Sequence, residues 1–211
     1  MVDYSTVQQA VIQGDDERTV QLVREALEQK ANPADIVASG LQAGMIIVGS
    51  KFSSGEFFVP EILLAARAVT RALDVLRPRL SSSDTVTIGR VVIGTVAGDI
   101  HDIGKNLVGM FLEGAGFEVI DLGTDVSAER FVIAVKEHNP HILGMSALLT
   151  TTMPGIEATI KTLESAGIRR QVKVVIGGAP VTQHFADQLG ADGYGADGGM
   201  AIELSRKLIG K

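Results

Sequence analysis

The stretch "VVIGTVAGDIHDIGKN", residues 91–106, decides how the chain is read. Its first six residues form a short apolar run rich in β-branched side chains, which is the pattern of a strand buried on both faces. The run closes near Gly98, and Asp99, His101, Asp102 and Gly104 then crowd into the next positions. The segment "IGKNLVGMFLEGAG" that follows has helical length and period. A strand therefore hands over to a helix through a loop carrying one imidazole and two carboxylates.

Working outward, the same unit recurs. "FEVIDLG", "HILGMSA" and "VKVVIGG" are apolar runs of strand type. "SAERFVIAVKEHN", "MPGIEATIKTLESAG" and "PVTQHFADQLG" are helical segments between and after them, and "DGYGADGGMAIELSRKL" is a weaker fifth unit. Apolar strands alternating with helices predict a parallel sheet covered on both faces. Five such units predict a doubly wound, flavodoxin-like or Rossmann-like domain with a five-stranded parallel sheet, over residues 89–211. Sheets of this kind bind ligands beyond the carboxyl ends of their strands. Those ends read "AGDIHDIG", "LGTDV", "SALLTTT", "GGAPVT" and "GADGG". Glycines permit close backbone approach there and hydroxyls supply donors and acceptors, so this edge is suited to a sizeable polar ligand.

Upstream, the apolar period is helical in "STVQQAVIQGD", "DERTVQLVREALEQK", "NPADIVASGLQAGMIIVGSKF" and "VPEILLAARAVTRALDVLRPRL". Ser5 and Asp15 stand at N-cap positions, and Pro33 and Pro60 in first turns. Four helices within residues 1–82 predict a small helical bundle. Residues 83–88, within "RPRLSSSDTVTIGR", are expected to link it to the sheet domain and to act as its hinge. The overall class is thus α plus α/β.

The bulk numbers narrow the function. The chain has 211 residues, 45% of them hydrophobic, a formal net charge of −6 and no cysteine. The acidic balance argues against nucleic-acid or anionic-membrane surfaces. Without cysteine there is neither a disulfide nor a thiolate metal site, which suits a cytoplasmic protein. The charged N-terminal segment is not a signal peptide, and no apolar run is expected to reach the length of a membrane span.

His101 stands at the predicted binding edge, where it could hold a metal, move a proton or serve the following helix. Asp99, two residues earlier, can accept a ring N–H, which fixes the tautomer and leaves the other nitrogen to a metal. Asp102 stands where the helix after the loop needs an N-cap. His138, His141 and His184 share no metal-site spacing with His101. A hydrolase built on a zinc or dinuclear centre needs three or more protein ligands, and the further Asn-His and His-x-His elements it would use are missing. A single imidazole suits a metal already held by a macrocycle, which needs only an axial donor.

These residues resemble the cobalamin-binding domains that bind their cofactor base-off. "GDIHDIGKN" carries the D-x-H-x-x-G signature in Asp99, His101 and Gly104. "SALLT" carries the S-x-L element in Ser146 and Leu148, and "GGAP" the paired glycines Gly177 and Gly178. The helical segment "GMIIVGSKFSSGEFFVPEILLAARAV" is similar to the family's helical cap, although Ala38 stands near the place where methionine synthase has a glutamate. The nearest likenesses are the corrinoid proteins of anaerobic methyltransferase systems.

The resemblance implies that His101 is the lower axial ligand to cobalt, with Asp99 and Thr152 completing a proton relay behind it. It implies that Gly98, Ile100, Asp102 and Ile103 share the cofactor-binding loop. Ser146, Leu148, Thr150, Gly177, Gly178 and Ala196 would receive the displaced nucleotide tail. Phe52, Val59 and Ile62 would shield the methyl face of the corrin. The implied function is a methyl carrier, not catalytic by itself, that uses methylcobalamin and cob(I)alamin or a related corrinoid. Its implied partners are a substrate:corrinoid methyltransferase, a methyltransferase acting on tetrahydrofolate or coenzyme M, and a reductive activase. The competing classes are an adenosylcobalamin-binding mutase subunit or regulator, and a metal-dependent hydrolase.

Overall fold

The computed structural model describes residues 3–79 and 87–211, and they fall into two compact units, Met1–Thr87 with Glu113–Gly116, and Ile88–Leu112 with Phe117–Lys211. Residues 83–86 of the expected linker lie outside the described residues.

The first unit is helical. α1 spans Tyr4–Ile12 and α2 Asp16–Glu28. α3 (Pro33–Asp35), a π-helical stretch (Ile36–Gln42) and α4 (Ala43–Ser53) run on as one helical segment, and α5 spans Val59–Leu76. Pro33 and Pro60 sit in first turns as the sequence predicts, and Asp15 caps α2 by accepting the Arg18 N–H at 2.9 Å. The α1 cap differs from expectation. Asp3 performs it, accepting from the Ser5 N–H at 2.9 Å, so Ser5 already lies inside the helix.

The expectation that no run reaches membrane length also needs correction. The continuous segment Pro33–Ser53 has 21 residues and a mean hydropathy of 1.3, enough to cross a membrane by length and composition. The helix persists through Gly40 and Gly44 because both face α1. A Cβ at Gly40 would meet Val7 at 2.9 Å, and one at Gly44 would meet Val11 at 3.0 Å. Half of the segment is buried, including Ile36, Leu41, Met45 and Val48, as in a bundle core helix.

The second unit alternates strand and helix. β1 (Gly89–Thr95), α6 (Ile103–Gly114), β2 (Phe117–Asp121) and α7 (Ala128–His138) lead to β3 (Ile142–Ser146). Then come α8 (Pro154–Ser165), β4 (Lys173–Gly177), α9 (Gln183–Leu189), β5 (Gly193–Tyr194) and α10 (Gly198–Leu208). The five strands pair in parallel in the order β2-β1-β3-β4-β5, the flavodoxin-like order. Val92, Leu143, Val174 and Ile176 join Phe131, Ile156 and Leu163 from the helices in a core that excludes water from the sheet. The apolar strand runs are thereby explained: β1 is buried along nearly its whole length, so neither of its faces needs polar side chains.

Register then positions the site. Thr95 pairs with Ser146, and Ser146 with Gly177, so β1, β3 and β4 end side by side. The chain leaves β1 and β3 toward opposite faces of the sheet in this topology, and the crevice that opens between their ends is where such folds take ligands.

Candidate functional site

The β1–α6 loop and the β3–α8 loop meet at that crevice through one carboxylate. The Asp99 side chain is 0% exposed and receives four hydrogen bonds. The His101 backbone N–H and ring Nδ1–H donate to Oδ1 at 3.0 and 2.7 Å. The Leu148 N–H and the Thr152 hydroxyl donate to Oδ2, each at 2.7 Å. Burial opposes the charge on Asp99. The bonds from Thr152, Leu148 and His101 outweigh it and hold the carboxyl well below the usual carboxylate range. An ionised carboxylate can only accept, so Nδ1 of His101 carries a proton, and in the neutral ring the lone pair is on Nε2. The His101 side chain is 46% exposed, which opens Nε2 to a ligand.

The neighbouring residues divide the remaining work. Gly98 adopts φ +78°, a left-handed turn that suits glycine, and returns the chain toward the sheet. A Cβ at Gly104 would meet nothing within 4 Å, so packing does not require that glycine, and its missing side chain leaves room for a bound group. Ile100 and Ile103, which flank His101 in the chain, are 77% and 83% exposed, and Leu148 in the β3–α8 loop is exposed as well. Asp102 occupies the N-cap position, where its backbone carbonyl accepts the Asn106 N–H at 2.7 Å. Its carboxylate takes the Asn106 side-chain amide at 3.1 Å.

Ser146 ends β3 and Thr150 is exposed in the loop that follows. Gly177 ends β4, and Gly178 has φ +121°; a Cβ there would lie 1.9 Å from the Ala147 carbonyl oxygen. Ala196 is exposed in the loop after β5.

Phe52, Val59 and Ile62 belong to the helical unit. Val59 is exposed and Phe52 half-buried, whereas Ile62 is 0% exposed and belongs to the bundle core, so it presents no apolar face. Ile62 lies one turn further into α5 than Val59, which stands at the exposed helix start. Phe58 (66% exposed) and Leu63 are the exposed apolar neighbours of Val59 that the sequence reading omitted.

Three further residues were missed. The Lys105 ammonium is buried between Asp121 and the Asn106 side chain. The Thr95 hydroxyl donates to the His101 carbonyl at 2.9 Å. Asp125 accepts the Gly98 N–H at 2.7 Å. For Thr95 the signal was a lone hydroxyl at the end of an apolar run. Asp125 carried none, because it meets the loop only once β2 lies beside β1.

Among the described residues no three His, Asp or Glu side chains converge as a metal cage. The donor set therefore fits a metal whose remaining ligands come with its own macrocycle. Fold and site together define a cofactor-binding α/β module that presents one oriented imidazole at the switch point of its sheet.

The comparisons with known proteins name that class. Residues 89–203 and residues 5–77 each match a B12 binding domain, and the chain belongs to the B12-binding family. It is similar to a corrinoid protein of Desulfitobacterium hafniense, with 41% identity over 208 residues, 97% of this chain and 96% of the relative. Trimethylamine corrinoid protein 1 of Methanosarcina acetivorans is 44% identical over 202 residues, 95% and 94% of the two chains. Among solved structures, the methanol:cobalamin methyltransferase complex of Methanosarcina barkeri contains a chain that matches with a TM-score of 0.85 and 30% identity, over 98% of this chain and 79% of that one.

Proposed function

We propose that this chain is a corrinoid-binding methyl carrier, with His101 Nε2 as the axial ligand to cobalt. The observation that carries the reading is the orientation of His101: Nδ1–H is held by the buried Asp99 carboxylate, which leaves Nε2 of the half-exposed ring for a ligand. When bound, a corrinoid supplies a cobalt centre able to take a methyl group from one substrate and yield it to another. The protein's own residues supply the setting. Asp99 orients the imidazole through Nδ1, and Thr152 holds Asp99 in place. The exposed apolar side chains of Ile100, Ile103 and Leu148 suit the flat, largely apolar face of a macrocycle. Ser146, Thr150, Gly177, Gly178 and Ala196 line the route assigned to a nucleotide tail, where the glycines leave backbone accessible. In the helical unit, Val59 and Phe52 are assigned to the methyl face; Ile62 is not.

In this reading a methyltransferase delivers the methyl group, as the pairing in the methanol:cobalamin methyltransferase complex supports. A second methyltransferase, acting on tetrahydrofolate or coenzyme M, removes it, and a reductive activase restores the carrier, all in the cytoplasm. The relatives with methylamine names support a methylamine-derived methyl group as the first donor to test. The deciding experiment loads wild-type and His101→Ala protein, labelled with 15N-histidine, with cob(II)alamin. Wild type should show a two-line nitrogen splitting in its electron paramagnetic resonance spectrum, and the variant should lose it. An unchanged spectrum with undiminished corrinoid affinity in His101→Ala defeats the assignment.

A further inference from the structure

We propose that Thr95 and Asp125 are positioning residues that hold the His101 loop at the height and angle the imidazole needs. This inference rests on the reading of His101 as an axial ligand.

The loop from Gly98 to His101 has almost no apolar packing of its own. Ile100 is largely exposed, and so is Ile103 just beyond it, leaving hydrogen bonds to decide the loop's path. Asp99 secures the imidazole ring and the His101 N–H, and is itself held from the β3–α8 loop by the Leu148 N–H and the Thr152 hydroxyl. Two further anchors hold the loop's backbone. From β1, the fully buried Thr95 hydroxyl donates to the His101 carbonyl at 2.9 Å. From the loop after β2, Asp125 closes a reciprocal pair: its carboxylate accepts the Gly98 N–H at 2.7 Å, and its own N–H donates to the Asp99 carbonyl at 2.9 Å.

The backbones of the two anchors are themselves tied together. The Val126 N–H donates to the Thr95 carbonyl and the Thr95 N–H to the Gly123 carbonyl, both at 2.9 Å. Asp125 holds φ +54°, a left-handed conformation that costs a non-glycine residue free energy and persists where surrounding contacts enforce it. Aspartate tolerates this region better than most residues and brings the acceptor that Gly98 uses. Three backbone groups around His101 are thus pinned to the sheet. The imidazole cannot rise or swing without breaking one of these bonds, and preorganisation of this kind favours a bond to an incoming metal.

The test separates hydrogen bonding from shape. Thr95→Val is isosteric and removes the hydroxyl, whereas Thr95→Ser keeps it. Asp125→Gly removes the acceptor while accepting the positive φ, whereas Asp125→Asn retains an acceptor oxygen. Each protein, labelled with 15N-histidine, is loaded with cob(II)alamin, and the histidine-coordinated fraction is read from the nitrogen splitting. Thr95→Val and Asp125→Gly should each lower the coordination equilibrium about two- to tenfold, the worth of one net hydrogen bond, and Thr95→Ser and Asp125→Asn should restore most of it. Wild-type coordination left unchanged in both Thr95→Val and Asp125→Gly overturns the clamp alone. Absence of histidine coordination in the wild type overturns the axial assignment and the clamp together.

Discussion

Replacing Thr152 by valine removes one of the four donors to Asp99 while keeping the shape of a side chain that is almost completely buried. The Asp99 carboxylate lies out of water, so the lost donor is not replaced by solvent, and Oδ2 retains only the Leu148 N–H. A hydrogen bond to a charged group contributes about 1.5–3 kcal/mol, and that is the destabilisation expected at pH 7. The pH dependence follows in sign. In the wild type the folded-state pKa of Asp99 is depressed, so its stabilisation is present above the unfolded carboxyl value and disappears as pH falls through the folded one. Thr152→Val raises the folded value. The stability gap between the two proteins should therefore hold near neutrality and close as pH falls through the raised pKa of the variant. Thr152→Ser, which keeps the hydroxyl, should stay near wild type. The chain has no tryptophan, so urea unfolding is best followed by circular dichroism. A Thr152→Val protein as stable as wild type at pH 7, or a gap that widens in acid, refutes the assignment of Thr152 as a donor to a buried ionised carboxylate.

Other substitutions probe the remaining elements. Gly178→Ala would place a Cβ 1.9 Å from the Ala147 carbonyl at φ +121°, and the backbone strain alone should cost about 1–3 kcal/mol, visible as a lowered melting temperature before any cofactor is added. Ile62→Ala should cost about 2–5 kcal/mol because Ile62 is fully buried, whereas Phe58→Ala should leave the melting temperature nearly unchanged; the reverse order would place Ile62 outside the bundle core.

Much of this protein is legible residue by residue. Within "RVVIGTV" and "VKVVIGG" the β-branched triplets Val91–Ile93 and Val174–Ile176 are buried strand centres, and burial on both faces demands their unbroken apolar character. The caps were less legible. Asp3 and Ser5 are both good capping residues, and only the backbone trace shows which one precedes the first helical turn. In α5, Val59 and Ile62 stand three residues apart on one face of the helix, yet Val59 at the helix start is exposed and Ile62 is fully buried, a difference that only packing reveals.

The amino-acid sequence by itself determined the order of elements, the switch-point loop and the identity of its central pair, because Asp99 and His101 are neighbours along the chain and local geometry suffices to join them. Tertiary structure alone decided what surrounds that pair. Leu148 and Thr152 reach Asp99 across about fifty residues. Asp125 meets the loop only because β1 and β2 pair in register and their carboxyl ends emerge together. A hydrogen bond between distant segments depends on strand order and register, which hydrophobic pattern constrains only as a whole, so these contacts leave no local mark in the chain.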